Sequence, residues 1–222
     1  MPKKVDHHDR RTRIADALMR VAAHRGLEAV SLRHVATEAG VSAGMVQHYF
    51  RTKDEMMAFA LAVVREHFQA RATAAVARLD GSPPIRTLLR TTFAGLLPLD
   101  DAGRADARVA LAFLAYSAVR PTTGAGLRED SAVMLTYLAG QIRTAQSAGQ
   151  ARADIDPDRT AVGLLALMEG LGIYLLGGHY DADTALAAID AYLGLIFDGA
   201  AGPAGMGERR HTGTNRNVLP PG

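Results

Sequence analysis

Apolar residues recur at three- and four-residue spacing along most of the chain, and no stretch of strict alternation competes with that rhythm. The pattern predicts helices. Ile14, Ala17, Leu18, Val21 and Ala22 mark one face of a first helix over 9–25, which Gly26 ends. Leu27 and Val30 fill the space before Ser31, the cap of a second helix with Leu32, Val35, Ala36 and Ala39 as its apolar positions. Gly40 is its stop, because a helix often leaves its last turn through a left-handed residue and glycine has no Cβ to clash. Val41 plugs the turn. Ser42 caps a third helix with Met45, Val46, Tyr49 and Phe50 apolar, and Thr52 caps a fourth, with Glu55 at capping-box spacing. Two short helices held by a glycine turn form a helix-turn-helix, which lays its second helix in the major groove of DNA.

The fourth helix, over 53–79, carries Met56, Phe59, Ala60, Val63, Val64 and Phe68 on one stripe. It is too long for a small N-terminal bundle and is expected to bridge into a second body. Gly81-Ser82-Pro83-Pro84 breaks the pattern, with Ser82 as the cap of a fifth helix to about Leu97. A sixth helix over 104–119 carries Val109, Ala112, Phe113 and Tyr116. A seventh over 127–148 carries Val133, Met134, Tyr137, Leu138, Gln141 and Ile142. Asp156-Pro157 opens an eighth helix to about Gly177, and Asp181 a ninth to about Asp198. Both are apolar around much of their circumference, as helices buried on two sides are. Residues 1–8 read as a flexible arm, 9–55 as the helix-turn-helix domain, 56–198 as a helical body and 199–222, rich in Gly and Pro, as a disordered tail.

Composition narrows the function. With 48% hydrophobic residues in 222, the chain can build a sizeable core. The formal charge is only +2, but the first 55 residues hold ten Lys and Arg against seven Asp and Glu, with five of the eight His. A basic end on a near-neutral body suits a polyanion partner at one end. The absence of Cys excludes disulfides, thiolate metal sites and Cys nucleophiles. No HExxH or Gly-rich phosphate loop argues for an enzyme, and no metal or cofactor is expected. Adjacent His7-His8 read as solvated side chains. Asp154-Ile155-Asp156-Pro157-Asp158 mimics the start of a calcium loop, but Arg159 stands where its Gly is required and Leu165 where its closing Glu belongs. The N-terminus lacks the apolar core of a signal peptide, and the longest apolar candidate, 162–176, is interrupted by Glu169 and several Gly. A cytoplasmic protein without a membrane span is the expectation.

Arg13-Ile14, Ala17, Gly26, Ser31, Arg33, Val35-Ala36, Ala39-Gly40-Val41-Ser42, Gly44, Tyr49-Phe50 and Lys53 together resemble the DNA-binding domain of the TetR/AcrR family of bacterial transcriptional repressors. VSAGMVQHYF, LLPLD, RVALAFLAYSAV and LLALMEGL are most similar to its BetI-like subgroup. At position 47 that family usually has Tyr; here Gln47 stands beside His48. The resemblance implies an all-α, nine-helix regulator with a three-helix DNA-binding domain and a C-terminal ligand-binding and dimerisation domain. It implies a homodimer paired through the last two helices, released from DNA by a small-molecule effector.

Ser42 and Ala43 open the recognition helix. Gly44 serves either close approach of the backbone to DNA or tight packing against the first helix. Gln47 can pair with adenine, and His48 can donate to a guanine or a phosphate. Arg33, Tyr49, Thr52 and Lys53 are candidate phosphate contacts, the last two at a helix N-terminus. Tyr49 reads equally as a core aromatic with its hydroxyl at the rim, and Arg33 as a solvated charge. Phe93, Leu97, Phe113, Tyr116, Met134, Tyr137, Leu138, Gln141, Met168 and Tyr174 are candidate effector contacts on inward faces. Glu169, within an apolar helix, is expected to be buried or paired, or to select a cationic ligand. Leu165, Gly172, Leu175, Ala188, Tyr192 and Ile196 are candidate dimer contacts. The rival readings are a helical enzyme and a purely structural interaction module; neither requires the Gly40–Ser42 turn beside Gln47 and His48.

Overall fold

The computed structural model describes residues 3–118 and 125–198. Nine α-helices and one 3-10 turn, Leu27–Ala29, make up its regular structure. In chain order they are α1 (Lys3–Arg25), α2 (Leu32–Ala39), α3 (Ala43–Tyr49), α4 (Lys53–Val76), α5 (Ile85–Leu96), α6 (Asp101–Ala118), α7 (Ala125–Ser147), α8 (Pro157–Leu176) and α9 (Ala182–Phe197). The tail expected over 199–222 lies outside the described residues.

Local chemistry explains most of the ends. Ser31 accepts a hydrogen bond from His34 N–H, and Asp156 and Asp181 cap α8 and α9 with their carboxylates. Gly40 adopts φ 67°, and two hydrogen bonds close the turn: Gly40 N–H to Thr37 O at 3.2 Å and Val41 N–H to Ala36 O at 3.0 Å. This is a Schellman motif, whose left-handed residue glycine fills without strain. Two ends differ from the sequence reading. Ser82 does not cap α5, which starts after Pro84 without a side-chain cap. α1 begins at Lys3 instead of Asp9, so 3–8 is helix and not a free arm; no Gly or Pro interrupts 3–25, and the His7 ring packs 4.8 Å from that of Tyr49.

Two hydrophobic cores organise the chain. The first joins α1, α2 and α3 with Met56, Met57, Ala60, Val63 and Val64 of α4, and it also takes in Val109 and Phe113 of α6. The second joins Leu89, Phe93 and Leu97 with α7, α8 and α9. The boundary expected between 55 and 56 therefore falls inside α4, one residue before the part of that helix that fills the first core. The far half of α4 lies against α5. There Gly95 comes so close to α4 that a Cβ would sit 3.0 Å from Ala72 Cα.

Asp106, only 7% exposed, ties α6 to α4. Its two carboxylate oxygens accept from Arg71 Nη1 at 2.6 Å and from His67 Nδ1 at 3.1 Å. Arg71 also lies over the Phe68 ring, 4.8 Å from its centroid. α8 is the one described helix long and apolar enough to cross a membrane. Packing accounts for part of that apolarity, since Ala161, Leu164, Leu171 and Leu175 are buried against the rest of the body.

Asp106→Ala leaves the part-buried Arg71 guanidinium without its carboxylate and is expected to cost about 2–3 kcal/mol. Gly95→Val forces α4 and α5 apart and is expected to cost about 1–3 kcal/mol. Thermal unfolding followed by circular dichroism should show both as a lowered midpoint, by about 2–4 °C per kcal/mol.

Candidate nucleic-acid interface

The second helix of the helix-turn-helix, α3, is held from three sides. Ser42 caps it by accepting from Met45 N–H at 3.1 Å. Val46 and Phe50 are wholly buried beneath it. The guanidinium of Arg11 from α1 lies over the adjoining Phe50 and Phe59 rings, 4.7 and 4.6 Å from their centroids. Arg11 Nη2 reaches Glu55 Oε1 at 3.3 Å. The other oxygen of Glu55 accepts from Arg51 N–H at 2.9 Å, while Glu55 N–H donates to Thr52 Oγ1 at 3.1 Å. The expected capping box thus forms with a shift of one residue: Glu55 satisfies Arg51 instead of Thr52. Arg20 and Glu38 add a 2.6 Å link between α1 and α2, and that hydrogen bond holds the Glu38 carboxyl below the usual glutamate range.

This scaffold leaves one face of α3 open. Ala43, Gly44, Gln47 and His48 are exposed together at its N-terminal and outer side. Nothing but Ser42 Oγ, at 3.9 Å, lies near the position of a Cβ on Gly44, so the packing role against α1 is not what this glycine serves. Met45 was expected among the inward residues and is 40% exposed. Val46 and Phe50 take the inward places on this seven-residue helix, and Met45 turns out beside the polar face.

The flanking candidates divide. Arg33 is exposed at the start of α2, and Thr37 Oγ1 bonds back to its carbonyl at 3.0 Å. Thr52 is exposed and caps α4; its oxygen accepts from Glu55, which leaves the hydroxyl proton free to donate. Tyr49 is half-buried, with its ring between His7 and His48 at centroid distances of 4.8 and 5.2 Å. Lys53 does not project. Its ammonium donates to Leu27 O at 3.0 Å and lies 5.9 Å from the Tyr116 ring centroid, tying α4 to the 3-10 turn and to α6. Its first role is therefore in the junction. Arg51, absent from the sequence reading, is exposed between α3 and α4 and forms no ion pair among the described residues. A basic residue directly after a recognition helix was the signal that could have found it.

The chain's comparisons with known proteins agree with this geometry. Residues 14–59 match the family described as bacterial regulatory proteins, tetR family, and residues 84–198 match the BetI-type transcriptional repressor, C-terminal. The chain belongs to the TetR family. It is a BetI-type transcriptional repressor with a helix-turn-helix DNA-binding domain, and not an enzyme. It is 32% identical to the HTH-type transcriptional regulator PksA of Bacillus subtilis, over 79% of this chain and 83% of that protein. It is 29% identical to BetI of Burkholderia thailandensis, over 89% of this chain and 98% of that protein. Among solved structures, a transcriptional regulator from Rhodococcus sp. Rha1 matches with TM-score 0.73 and 34% identity over 84% of this chain and 95% of its own. A regulator from Saccharomonospora viridis, solved in complex with choline, matches with TM-score 0.74 and 26% identity over 86% of this chain and 99% of its own.

The body residues nominated for an effector do not converge on one cavity. Phe93, Leu97 and Leu138 are buried in the second core, and Met134 and Met168 pack against it. Gln141 is half-buried on α7. Tyr137 and Tyr174 are exposed, the latter edge-on to His179 at 5.0 Å. Phe113 and Tyr116 instead line a cleft between α4, α6 and α7. Glu169 is neither buried nor ion-paired among the described residues; in the single chain it is exposed, with enough shielding of its carboxyl to push its pKa up.

The dimer candidates need correction in two places. Leu175 and Ile196 are buried in the second core, because the chain's own helices already cover them. Gly172 faces Pro98 of the same chain. Leu165, Ala188 and Tyr192 are partly buried against that core. The open apolar positions are Val162 at 55% and Leu195 at 64% exposure, with Ala166 and Ile173 continuing the α8 stripe.

Gln47→Ala is expected to weaken operator binding by about 1–3 kcal/mol and to relax preference at one base position. Arg51→Ala is expected to weaken binding evenly across sequences and to reduce the salt slope by about one. Quantitative binding to a library of operator variants at several salt concentrations separates the two patterns.

Proposed function

We propose that this repressor binds a palindromic operator as a homodimer and is released from it by a small-molecule effector. The observation that carries the DNA reading is the open face of α3, with Gln47 and His48 at its centre and Val46, Phe50 and the Arg11 guanidinium over Phe50 fixing its orientation. Gln47 and His48 read base edges, and Met45 offers an apolar contact to a thymine methyl. Ala43 and Gly44 present no bulk, so the backbone of α3 can approach the groove. Ser42, Thr52, Arg33, Tyr49 and Arg51 flank it as phosphate contacts that fix register.

The homodimer reading is supported by the α8 stripe of Val162, Ala166 and Ile173 and by the open Leu195 of α9. An apolar stripe on two adjacent helices is costly in water, and covering it returns about 25 cal/mol per Å2. A second copy supplies the same surface, and two-fold symmetry turns it into a self-complementary seam. Two heads related by that axis require an operator with two half-sites about one helical turn, or a multiple of it, apart. Such a reader of bacterial DNA works in the cytoplasm. The choline-bound regulator from Saccharomonospora viridis makes small cations the first class to screen for release.

In a mobility-shift assay, the purified protein is expected to retard DNA from its own upstream region and to prefer it over random duplex. Affinity should fall by about 10³–10⁵ between 50 and 200 mM salt if six to ten phosphates are neutralised. Equal binding to all sequences, or a flat salt response, would overturn the repressor reading. Val162→Glu with Leu195→Glu should convert the dimer to monomer in sedimentation analysis and abolish the retarded band.

A further inference from the structure

A notch of about 260 Å3 lies on the DNA-reading head, between the C-terminal half of α1 and α2, and no residue of α3 lines it. It is smaller than a drug-sized site and suits a single small group. Its one apolar lining residue is Val21. The rest of the lining is polar and, on balance, cationic. Arg20 Nε donates to Glu38 Oε1 at 2.6 Å, so that pair is neutral. Arg25 is exposed and forms no ion pair among the described residues. The Glu38 carboxyl is held below the usual range first by the Arg20 hydrogen bond and then by the charges of Arg20, His24 and Arg25, which places these three groups around one point.

The hydrogen-bond directions favour an acceptor ligand. His34 Nδ1 lies 2.6 Å from Ala29 O, and a carbonyl only accepts, so Nδ1 carries a proton and Nε2 is left over to donate when the ring is charged. His24 has no hydrogen bond among the described residues and can donate from one nitrogen even when neutral. Thr37 spends its hydroxyl proton on Arg33 O at 3.0 Å and supplies wall only. The helix dipole accounts for His24 and Arg25 in the last turn of α1. It does not account for His34 in the first turn of α2, where a cation is disfavoured.

We propose that this notch is a phosphate site separate from the face of α3, in which Arg25 and His24 hold one phosphate group with His34 opposite. Two sources share that chemistry, a backbone phosphate of the operator and a free phosphate ion. The DNA source is favoured because the first helix of a helix-turn-helix crosses the DNA backbone. Arg33, exposed one residue round from His34, serves the phosphate nearer the groove. A notch without α3 residues then takes a phosphate of the flank, beyond the half-site that α3 reads. Such a contact lengthens the footprint and adds affinity without sequence preference. The DNA source rests on the repressor reading above; the notch itself does not.

Binding of the full-length protein to two operator duplexes tests the site, one ending at the outer base pairs of the half-sites and one longer by about half a helical turn on each side. The longer duplex should bind more tightly, with a log K against log salt slope steeper by about 0.9 for each head, one extra phosphate apiece. Arg25→Ala with His24→Ala should abolish that difference and leave affinity for the shorter duplex unchanged, whereas Arg33→Ala should weaken both. Arg25→Gln alone replaces the double variant if circular dichroism shows that the latter loses helix. Inorganic phosphate, titrated at constant pH into DNA-free protein, should shift the imidazole NMR signals of His24 and His34 saturably, and the Arg25 variant should lose the shift. A saturable shift without any duplex-length effect overturns the DNA source and assigns the notch to free phosphate. Neither a shift nor a length effect, or equal loss on both duplexes in the notch variant, overturns the site. If the protein prefers no DNA sequence, the repressor reading fails, and the phosphate titration still decides the notch.

Discussion

One helix joins the reading head to the body. The first half of α4 puts Met56, Met57, Ala60, Val63 and Val64 into the core of the DNA-reading head, and its second half lies against α5, where Gly95 allows near-backbone contact. A continuous helix transmits displacement along its axis because its hydrogen-bond ladder does not bend cheaply. Head and body are therefore mechanically one piece along α4. Asp106 strengthens this by gripping His67 and Arg71 of α4 from α6, and α6 also sends Val109 and Phe113 into the head's core. Any change in the body that moves α4 or α6 moves the reader.

The reader itself is aimed by a few polar atoms around an apolar plug. Arg11 lies over the paired Phe50 and Phe59 rings and touches Glu55, and Glu55 holds the backbone of Arg51 directly after α3. A charged group over the faces of aromatic rings keeps a favourable electrostatic environment where it has lost water. The arrangement locks three helices through side chains that lie apart in the chain. It leaves the outer face of α3 exposed, with Gln47 and His48 on it, although the His48 ring also meets Tyr49 edge-on at 5.2 Å.

The apolar excess of α8 and α9 has two destinations. Leu164, Leu171, Ile189 and Leu193 fill the second core. Val162, Ile173 and Leu195 stay open in the single chain. Glu169 shares the open side of α8, and the partial loss of water around it raises its pKa. The same helix meets the length and hydropathy of a membrane span, which is what burial on one side and an unpartnered stripe on the other look like in composition alone.

How much of this was legible follows from where the physics acts. The helix-turn-helix, its Gly40 stop, the caps at Ser31, Ser42, Thr52, Asp156 and Asp181, and the identities of α1 to α9 were readable, because caps, left-handed turns and 3–4 periodicity act over a few residues. The exposed face of Gln47 and His48 was readable for the same reason. The orientation of Met45, the inward turn of Lys53, the burial of Leu175 and Ile196 and the exposed position of Arg51 were not. Each depends on a partner far away in the chain or on which of several apolar faces is already covered: Leu27 O and Tyr116 for Lys53, and the packed α5, α7 and α9 for Leu175 and Ile196. Sequence by itself determined the helices, their ends and the family chemistry of α3. Only the tertiary structure decided that α4 and α6 both fill the head's core and that the open cleft lies between them and α7, because long-range packing selects among faces that periodicity leaves equivalent.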